Sequence, residues 1–241
     1  MRYVILSDIH SNLESLQQVF ALIQPDDVVV SLGDVIGYGP NPNETIALLR
    51  TRVRHAVLGN HDLAAIDSFG IEHFNKAARA AIEWTQGVLD QEGRAWLDTL
   101  GYELRFPEFL FVHGAPVHYF DYILQKRDAA EAFDATDAPL IFVGHTHIAQ
   151  HWVLEPDGTV GHRHAQRGGE LALEQGKRYI VDVGSIGQPR DANPEPCFIY
   201  YEPEQRRVRW VRYSYPVEQV QQKIRALKLP AYLADRLEAG R

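Results

Sequence analysis

Tyr3-Val4-Ile5-Leu6-Ser7-Asp8-Ile9-His10 is an apolar run that ends in a carboxylate and an imidazole, and Val28-Val29-Val30-Ser31-Leu32-Gly33-Asp34 repeats the arrangement. Between the two, Asn12 offers an N-cap to a helix whose apolar residues Leu13, Leu16, Val19, Phe20 and Ile23 follow the helical period. Asn43 is expected to cap a second helix carrying Ile46 and Leu49, and Val53–Leu58 to form a third strand. The start of the chain therefore spells βαβαβ, which implies parallel strands joined by right-handed crossovers.

Working outward, residues 72–100 read as mostly helical around Ala77, Ala81, Trp84, Val88, Trp96, Leu97 and Leu100, with breaks expected at Gly87 and Gly93. Strand signals return at Phe109–Val112 and Leu140–Val143, with a helical stretch near Asp128–Phe133 between them. From about Gln150 the chain turns β-rich: His151–Leu154, Val160–His164, Glu170–Leu173, Arg178–Val183, Cys197–Tyr201 and Val208–Tyr213 are short strands separated by Gly, Pro and charged turns. Val217, Val220, Ile224 and Leu227 then mark an amphipathic helix, which Pro230 interrupts before Leu233 and Leu237. No Gly/Ser-rich linker divides the halves. The expectation is one α/β domain over 1–241, with two mixed sheets face to face, helices outside, a helical insertion or cap at about 63–100 and a C-terminal helix at about 216–239.

Composition narrows the function classes. With 24 Lys+Arg against 32 Asp+Glu, the chain of 241 residues carries a formal charge of −8, which opposes a broad grip on nucleic-acid phosphates. Its one cysteine, Cys197, cannot close an internal disulfide, reads as a buried strand residue and favours a reducing, cytoplasmic setting. No apolar stretch approaches the ~18 residues needed to cross a bilayer.

Five apolar runs end in metal-ligating types: Asp8 and His10; Asp34; Asn60 and His61 after Val57-Leu58-Gly59; His113 after Phe109-Leu110-Phe111-Val112; His145 and His147 after Leu140-Ile141-Phe142-Val143-Gly144. In open α/β sheets ligands gather outside the carboxyl ends of strands, so these side chains are expected to converge. Gly33, Gly59 and Gly144 stand just before the candidates, where the lack of a Cβ permits close approach. Oxygen and imidazole donors without thiolate select Mn²⁺, Fe, Zn²⁺ or Co²⁺. So many donors exceed one tetrahedral site, and a carboxylate such as Asp34 can bridge two ions ~3.5–4 Å apart, a spacing suited to in-line attack at phosphorus.

Taken in order, Asp8-Ile9-His10, Gly33-Asp34, Gly59-Asn60-His61-Asp62, His113-Gly114 and Gly144-His145-Thr146-His147 resemble the calcineurin-like metallophosphoesterase superfamily, over roughly residues 3–190. The resemblance implies a β-sandwich flanked by helices with two divalent ions at the strand ends: Mn²⁺ or Fe, with Zn²⁺, Co²⁺, Ni²⁺ or Mg²⁺ as alternatives. By position it makes Asp8, His10, Asp34 and His147 ligands of one ion and Asp34, Asn60, His113 and His145 of the other. His61 is then the residue that assists the leaving group against attack by a metal-bridging hydroxide. Protein phosphatases and symmetrical dinucleoside tetraphosphatases of this superfamily usually carry Asp-Arg soon after Gly-Asp and end the third block in Glu. Here Val35-Ile36-Gly37-Tyr38-Gly39 and Asp62 stand instead, so the Asp that would orient His61 and the Arg that would clamp phosphate are missing. Gly37-Tyr38-Gly39-Pro40 and Gly184-Ser185-Ile186-Gly187-Gln188-Pro189-Arg190 are more similar to the small bacterial phosphodiesterase-type branch, although Asp182-Val183 replaces the usual Asn-Pro before Gly184.

The expected activity is hydrolysis of small or nucleotide-like phosphodiesters. Phosphomonoesters or phosphoproteins, dinucleoside polyphosphates, a nuclease substrate and a non-catalytic scaffold of the same fold are the alternatives. Arg190, Asn12 and Tyr38 are candidate substrate contacts, with Asn12 also a plain helix cap. Tyr38, Tyr119, Phe120 and Tyr122 are expected to pack rather than to stack on a base. His162 and His164 are expected on an exposed hairpin face, and His55, His73, His118 and His151 carry no assigned role.

Overall fold

A computed structural model describes residues Met1–Arg241. Strands β1 (Tyr3–Leu6), β2 (Val28–Ser31) and β3 (Val53–Ala56) run parallel, connected by helices α1 (Leu13–Leu22) and α2 (Pro42–Arg50). The alternation within β1 explains why its sequence is apolar throughout. Val4 and Leu6 pack with Leu16, Val19, Ile46 and Leu49 of the two helices, whereas Ile5, beside Ile199 of its own sheet, faces Phe111 and Phe142 of the other. A strand covered on both faces has no position left for a polar side chain. Burial of each such Ile, Leu or Phe contributes about 1.5–3 kcal/mol.

Asn12 caps α1, its Oδ1 accepting from Ser15 N at 3.1 Å. Asn43 does not cap α2. That helix starts earlier, at Pro42, where a missing N–H is no loss in the first turn. The Asn43 amide instead meets Val88 O and Asp90 N, tying α2 to a later turn.

Helices α3 (Asn60–Asp67), α4 (Lys76–Val88) and α5 (Gln91–Leu97) follow. Gly87 and Gly93, the expected breaks, both lie inside helices. The break falls at Leu89-Asp90, where Asp90 Oδ1 accepts from Gly93 N at 2.6 Å and caps α5. A side-chain cap is worth about as much as the ~1 kcal/mol a helical glycine costs, so the cap sets the boundary.

The remaining strands are β4 (Glu103–Arg105), β5 (Leu110–Val112), β6 (Leu140–Val143), β7 (Gln150–Leu154), β8 (Val160–His164), β9 (Gly169–Ala172), β10 (Arg178–Asp182), β11 (Cys197–Glu202) and β12 (Arg207–Arg212), with α6 (Lys126–Asp134) before β6. Helices α7 (Val217–Ala226) and α8 (Ala231–Ala239) divide at Pro230. Six strands form each sheet, in the orders β3-β2-β1-β11-β12-β9 and β4-β5-β6-β10-β7-β8. Both sheets mix parallel and antiparallel pairs.

Ile5, Val30, Phe111, Phe142, Val181 and Ile199 fill the space between the sheets. On the outer face of the second sheet, Ala129, Ala132 and Phe133 of α6 cover Leu110, Ile141 and Ile180. Against Tyr38, α4 packs with α7 and α8 through Ala81, Ile224 and Leu233. The α/β arrangement of two facing mixed sheets between helices is as expected. Cys197 is fully buried. His162 departs from the expected exposed face: its ring lies on Trp152 at 3.8 Å and is half-buried, because β8 pairs with β7 and covers that indole. No helix is long and apolar enough to cross a membrane.

Candidate metal centre

The turns after β1, β2, β5 and β6 and the start of α3 meet at one end of the sandwich. There Asp8, His10, Asp34 and His147 form one group of donors and Asp34, His113 and His145 another, the donor atoms of each within 4.8 Å of one another. Asp34 belongs to both. Its Oδ2 lies 3.6 Å from His10 Nε2 and 3.5 Å from His113 Nε2, while Oδ1 is held by His61 N at 2.8 Å. Asn60 Oδ1 adjoins the second group, 3.2 Å from His113 Nε2. Asp8 Oδ2 accepts from Ser7 Oγ and His145 N, so that Oδ1, 3.1 Å from His147 Nε2, faces the cluster.

Hydrogen bonding shows what the cluster requires. The Nδ1 atoms of His10, His113 and His147 sit 3.1, 2.7 and 2.6 Å from the carbonyls of Ile36, Leu32 and Gln188. A carbonyl only accepts, so each Nδ1 carries the hydrogen and each neutral ring turns an Nε2 lone pair inward. His10 Nε2 then meets His147 Nε2 at 3.2 Å, and His113 Nε2 meets His145 Nδ1 at 3.1 Å, beside two buried carboxylates. Lone pairs aimed at one another out of water are tolerable only around a cation, and oxygen with imidazole donors fits a divalent metal.

With protons as the only cations, burial works against a charged His113 but Asp34 and Asp8 outweigh it, pushing its pKa to about 9. Burial and then His113 push His145 down to about 3. Asp34 stays well below the carboxylate range because the neighbouring histidines, His113 foremost, overcome its burial.

The backbone is shaped around these donors. Asp8, His10, Asp34, His145 and His147 all have φ between 49° and 67°, the left-handed region that non-glycine residues seldom occupy. Such strain, of order 1–3 kcal/mol per residue, persists only where surroundings fix it. Asp8 N and His10 N are fixed by Gly33 O and Asp34 O. The absence of a Cβ matters at Gly59 and Gly144, where one would run into the Asp34 carboxylate and into Ser7 Oγ.

Asp182, assigned no role from sequence, fastens the last turn. Its Oδ2 accepts from Thr146 Oγ1 at 2.5 Å between the two histidines, and its Oδ1 accepts from Gly184 N at 3.1 Å. Burial raises its pKa well above the usual carboxylate range despite those bonds.

His61 lines a cleft of about 490 Å³ with Asn60 and His145. Burial, against the pull of Asp34, lowers its pKa to about 4. Its Nδ1 is buried without a partner, so no carboxylate orients it. Rings hold it instead: Tyr38 at 4.4 Å, Phe74 at 4.6 Å and His10 at 4.8 Å. Asp62 caps α3 through Gly59 N and also accepts from Ile36 N, fastening the turn after Asp34.

The expected substrate contacts divide. Asn12 is spent on the fold: it caps α1 and its Nδ2 donates to Gly187 O at 2.9 Å. Tyr38 is buried, and its hydroxyl meets Arg190 Nη2 at 3.4 Å. The Arg190 guanidinium also reaches Gln188 Oε1 at 3.0 Å, has a buried Nε without a partner and pairs with no carboxylate. Tyr119 packs on Tyr102, whereas Tyr122 lies flat on His145 at 3.9 Å with 45% of its surface exposed. Phe74 and Phe69 enter the cleft from a turn that carries no chemical motif, so only the fold places them there.

The model of the calcineurin-like phosphoesterase family matches residues 1–149. An uncharacterised protein of Methanocaldococcus jannaschii is 33% identical over 98% of this chain and 97% of its own length. The crystal structure of a metallophosphoesterase from Sphaerobacter thermophilus superposes with a TM-score of 0.90 at 38% identity, covering 100% of this chain and 99% of the other. A hypothetical protein from Pyrococcus horikoshii shares the fold at a TM-score of 0.76 and 19% identity, over 100% and 98% of the two chains.

Proposed function

This chain belongs to the calcineurin-like phosphoesterase family and is a metal-dependent phosphoesterase, and on that premise we propose that it hydrolyses small or nucleotide-like phosphodiesters at a centre of two divalent ions. Asp8, His10, Asp34 and His147 would hold one ion, and Asp34, Asn60, His113 and His145 the other. Mn²⁺ or Fe suits these donors best. The observation that carries the reading is the one carboxylate common to both donor groups, with His61 beside Asn60 in the same cleft.

When bound, such a pair of ions acidifies water and offsets the charge that builds on a phosphoryl group under in-line attack. The chain's own residues supply position. Burial keeps His61 neutral at pH 7, so it brings the leaving oxygen an N–H hydrogen bond with no standing charge. Tyr38 and Phe74 hold that ring where a carboxylate is absent. Arg190, whose guanidinium has no carboxylate partner, contacts the phosphoryl oxygens. We read residues 1–241 as one domain whose 63–100 segment caps the cleft, and the lone buried thiol supports the reading of a reducing, cytoplasmic setting.

The test is hydrolysis of bis(p-nitrophenyl) phosphate and p-nitrophenyl phosphate by Mn²⁺-loaded protein. Faster turnover of the diester is expected. Preference for the monoester would overturn the diesterase assignment, and no turnover of either would overturn the catalytic one.

A further inference from the structure

The cleft above the centre is aromatic where it meets the catalytic residues. Phe74 lies on His61 with ring planes 27° apart, and Tyr122 on His145 with planes 15° apart. Phe69 stands on the same wall with 62% of its surface in water. Large apolar side chains gathered at one concave site mark a surface built to be covered.

Charge around the cleft narrows what can cover it. Glu72 and Asp121 line it, His73 Nε2 lies 3.5 Å from Glu72, and no Lys or Arg is among the lining residues. A substrate arm bearing further phosphates or carboxylates would meet like charge there, whereas an uncharged planar arm would meet π faces.

We infer that this cleft takes the uncharged planar group of a phosphoester, in biological form the nucleobase of a nucleoside phosphodiester, and that Phe69, Phe74 and Tyr122 set that preference. A polyphosphate chain or an acidic phosphopeptide does not fit the same wall. The inference rests on the hydrolase reading for the orientation of the phosphoryl group, but recognition of the base needs no turnover.

Calorimetric titration of the Mn²⁺-loaded protein separates the two. The probes are a non-hydrolysable phosphonate analogue of adenosine 5′-monophosphate, the matching ribose phosphonate without a base, and the methylenediphosphonate analogue of adenosine diphosphate. The base-bearing monophosphonate is expected to bind about tenfold tighter than the base-free one, in line with stacking on aromatic side chains, and the diphosphonate no tighter than the monophosphonate. Phe69→Ala, on the exposed rim, is expected to reduce that tenfold preference to about twofold while leaving the base-free probe unchanged. Equal binding with and without the base, tighter binding of the diphosphonate, or an unchanged preference in Phe69→Ala would overturn the inference. Loss of aryl phosphate turnover with the base preference intact would sink the hydrolase reading alone.

Discussion

Two of the clefts that indent this molecule are similar in size and are lined by histidines and carboxylates. One, about 490 Å³, lies over the donor cluster; the other, about 400 Å³, lies between the edge strands β8 and β9 and includes His151, His164, Glu170, Glu174 and Lys177. In the second cleft charge is already answered. Lys177 lies 3.2 Å from Glu155 and 3.0 Å from Glu174, and Arg207 lies 3.7 Å from Glu170. Beneath the first, imidazole lone pairs and two carboxylates face each other in burial with no Lys or Arg paired to them. Residue types are therefore a poor guide to a metal site. What distinguishes one is convergence that the protein leaves uncompensated.

Removing the carboxylate shared by both donor groups strikes that distinction hardest. Asp34→Asn preserves shape and the bond to His61 N but deletes the charge common to the groups. A fall on the order of 10³-fold in kcat/KM and the loss of at least one ion by metal analysis are expected. Two ions and a rate within tenfold of the parent would make the first cleft no different from the second. His61→Ala comes next. It leaves every proposed ligand in place, so both ions should remain while kcat drops by about 10²–10⁴-fold. Loss of metal together with rate would move His61 from leaving-group assistance to assembly of the centre.

The two clefts also differ in how far the sequence foretells them. Asp8, Asp34, His113, His145 and His147 announce themselves because each follows an apolar run at a strand end, and topology brings parallel strand ends together. The positive φ of Asp8 or His145 has no such signal, since left-handed backbone at a non-glycine residue is imposed by surroundings. Phe74 reaches His61 through the packing of α3 against α4, which no local pattern encodes. Strand β4 carries one apolar residue, Leu104, and exists because β5 offers it an edge. The break between α4 and α5 falls away from Gly87 and Gly93 for a related reason: glycine propensity is weak, and the Asp90 cap decides. Tyr122 packs as expected, although nothing local says that its partner is the proposed ligand His145, whereas His162 leaves the expected exposed face to cover Trp152.

A smaller effect separates a carboxylate beneath the donor cluster from one that lines the second cleft. Asp182 is buried beneath the turn that carries His145 and His147, whereas Glu170 is exposed. Because burial raises the folded-state pKa of Asp182, its contribution to stability is complete below the unfolded pKa and is lost as pH rises toward the folded one. Asp182→Asn removes that titration. In metal-free protein the variant should match the parent near pH 4 and then melt progressively higher than it toward pH 8, by roughly 2–4 °C for each kcal/mol involved. Thermal scans at several pH values check this, and parallel curves would mean that Asp182 ionises like an ordinary surface carboxylate.

The smallest expected effect belongs to the second cleft, and it is informative because it should be absent. His164 is exposed on β8, meets His162 edge-on at 4.6 Å and stands beside Arg163, whose cation disfavours a second positive ion. Elsewhere in the same cleft Lys177 already engages two glutamates, so a metal there would have to displace existing ion pairs, where in the first cleft it would relieve repulsion. His164→Ala should leave the metal content and kcat/KM unchanged within twofold, with stability altered by no more than about 0.5 kcal/mol. A third ion in the parent protein that disappears in His164→Ala would show that paired charge does not protect a cleft from metal, and the contrast between the two regions would have to be drawn from burial alone.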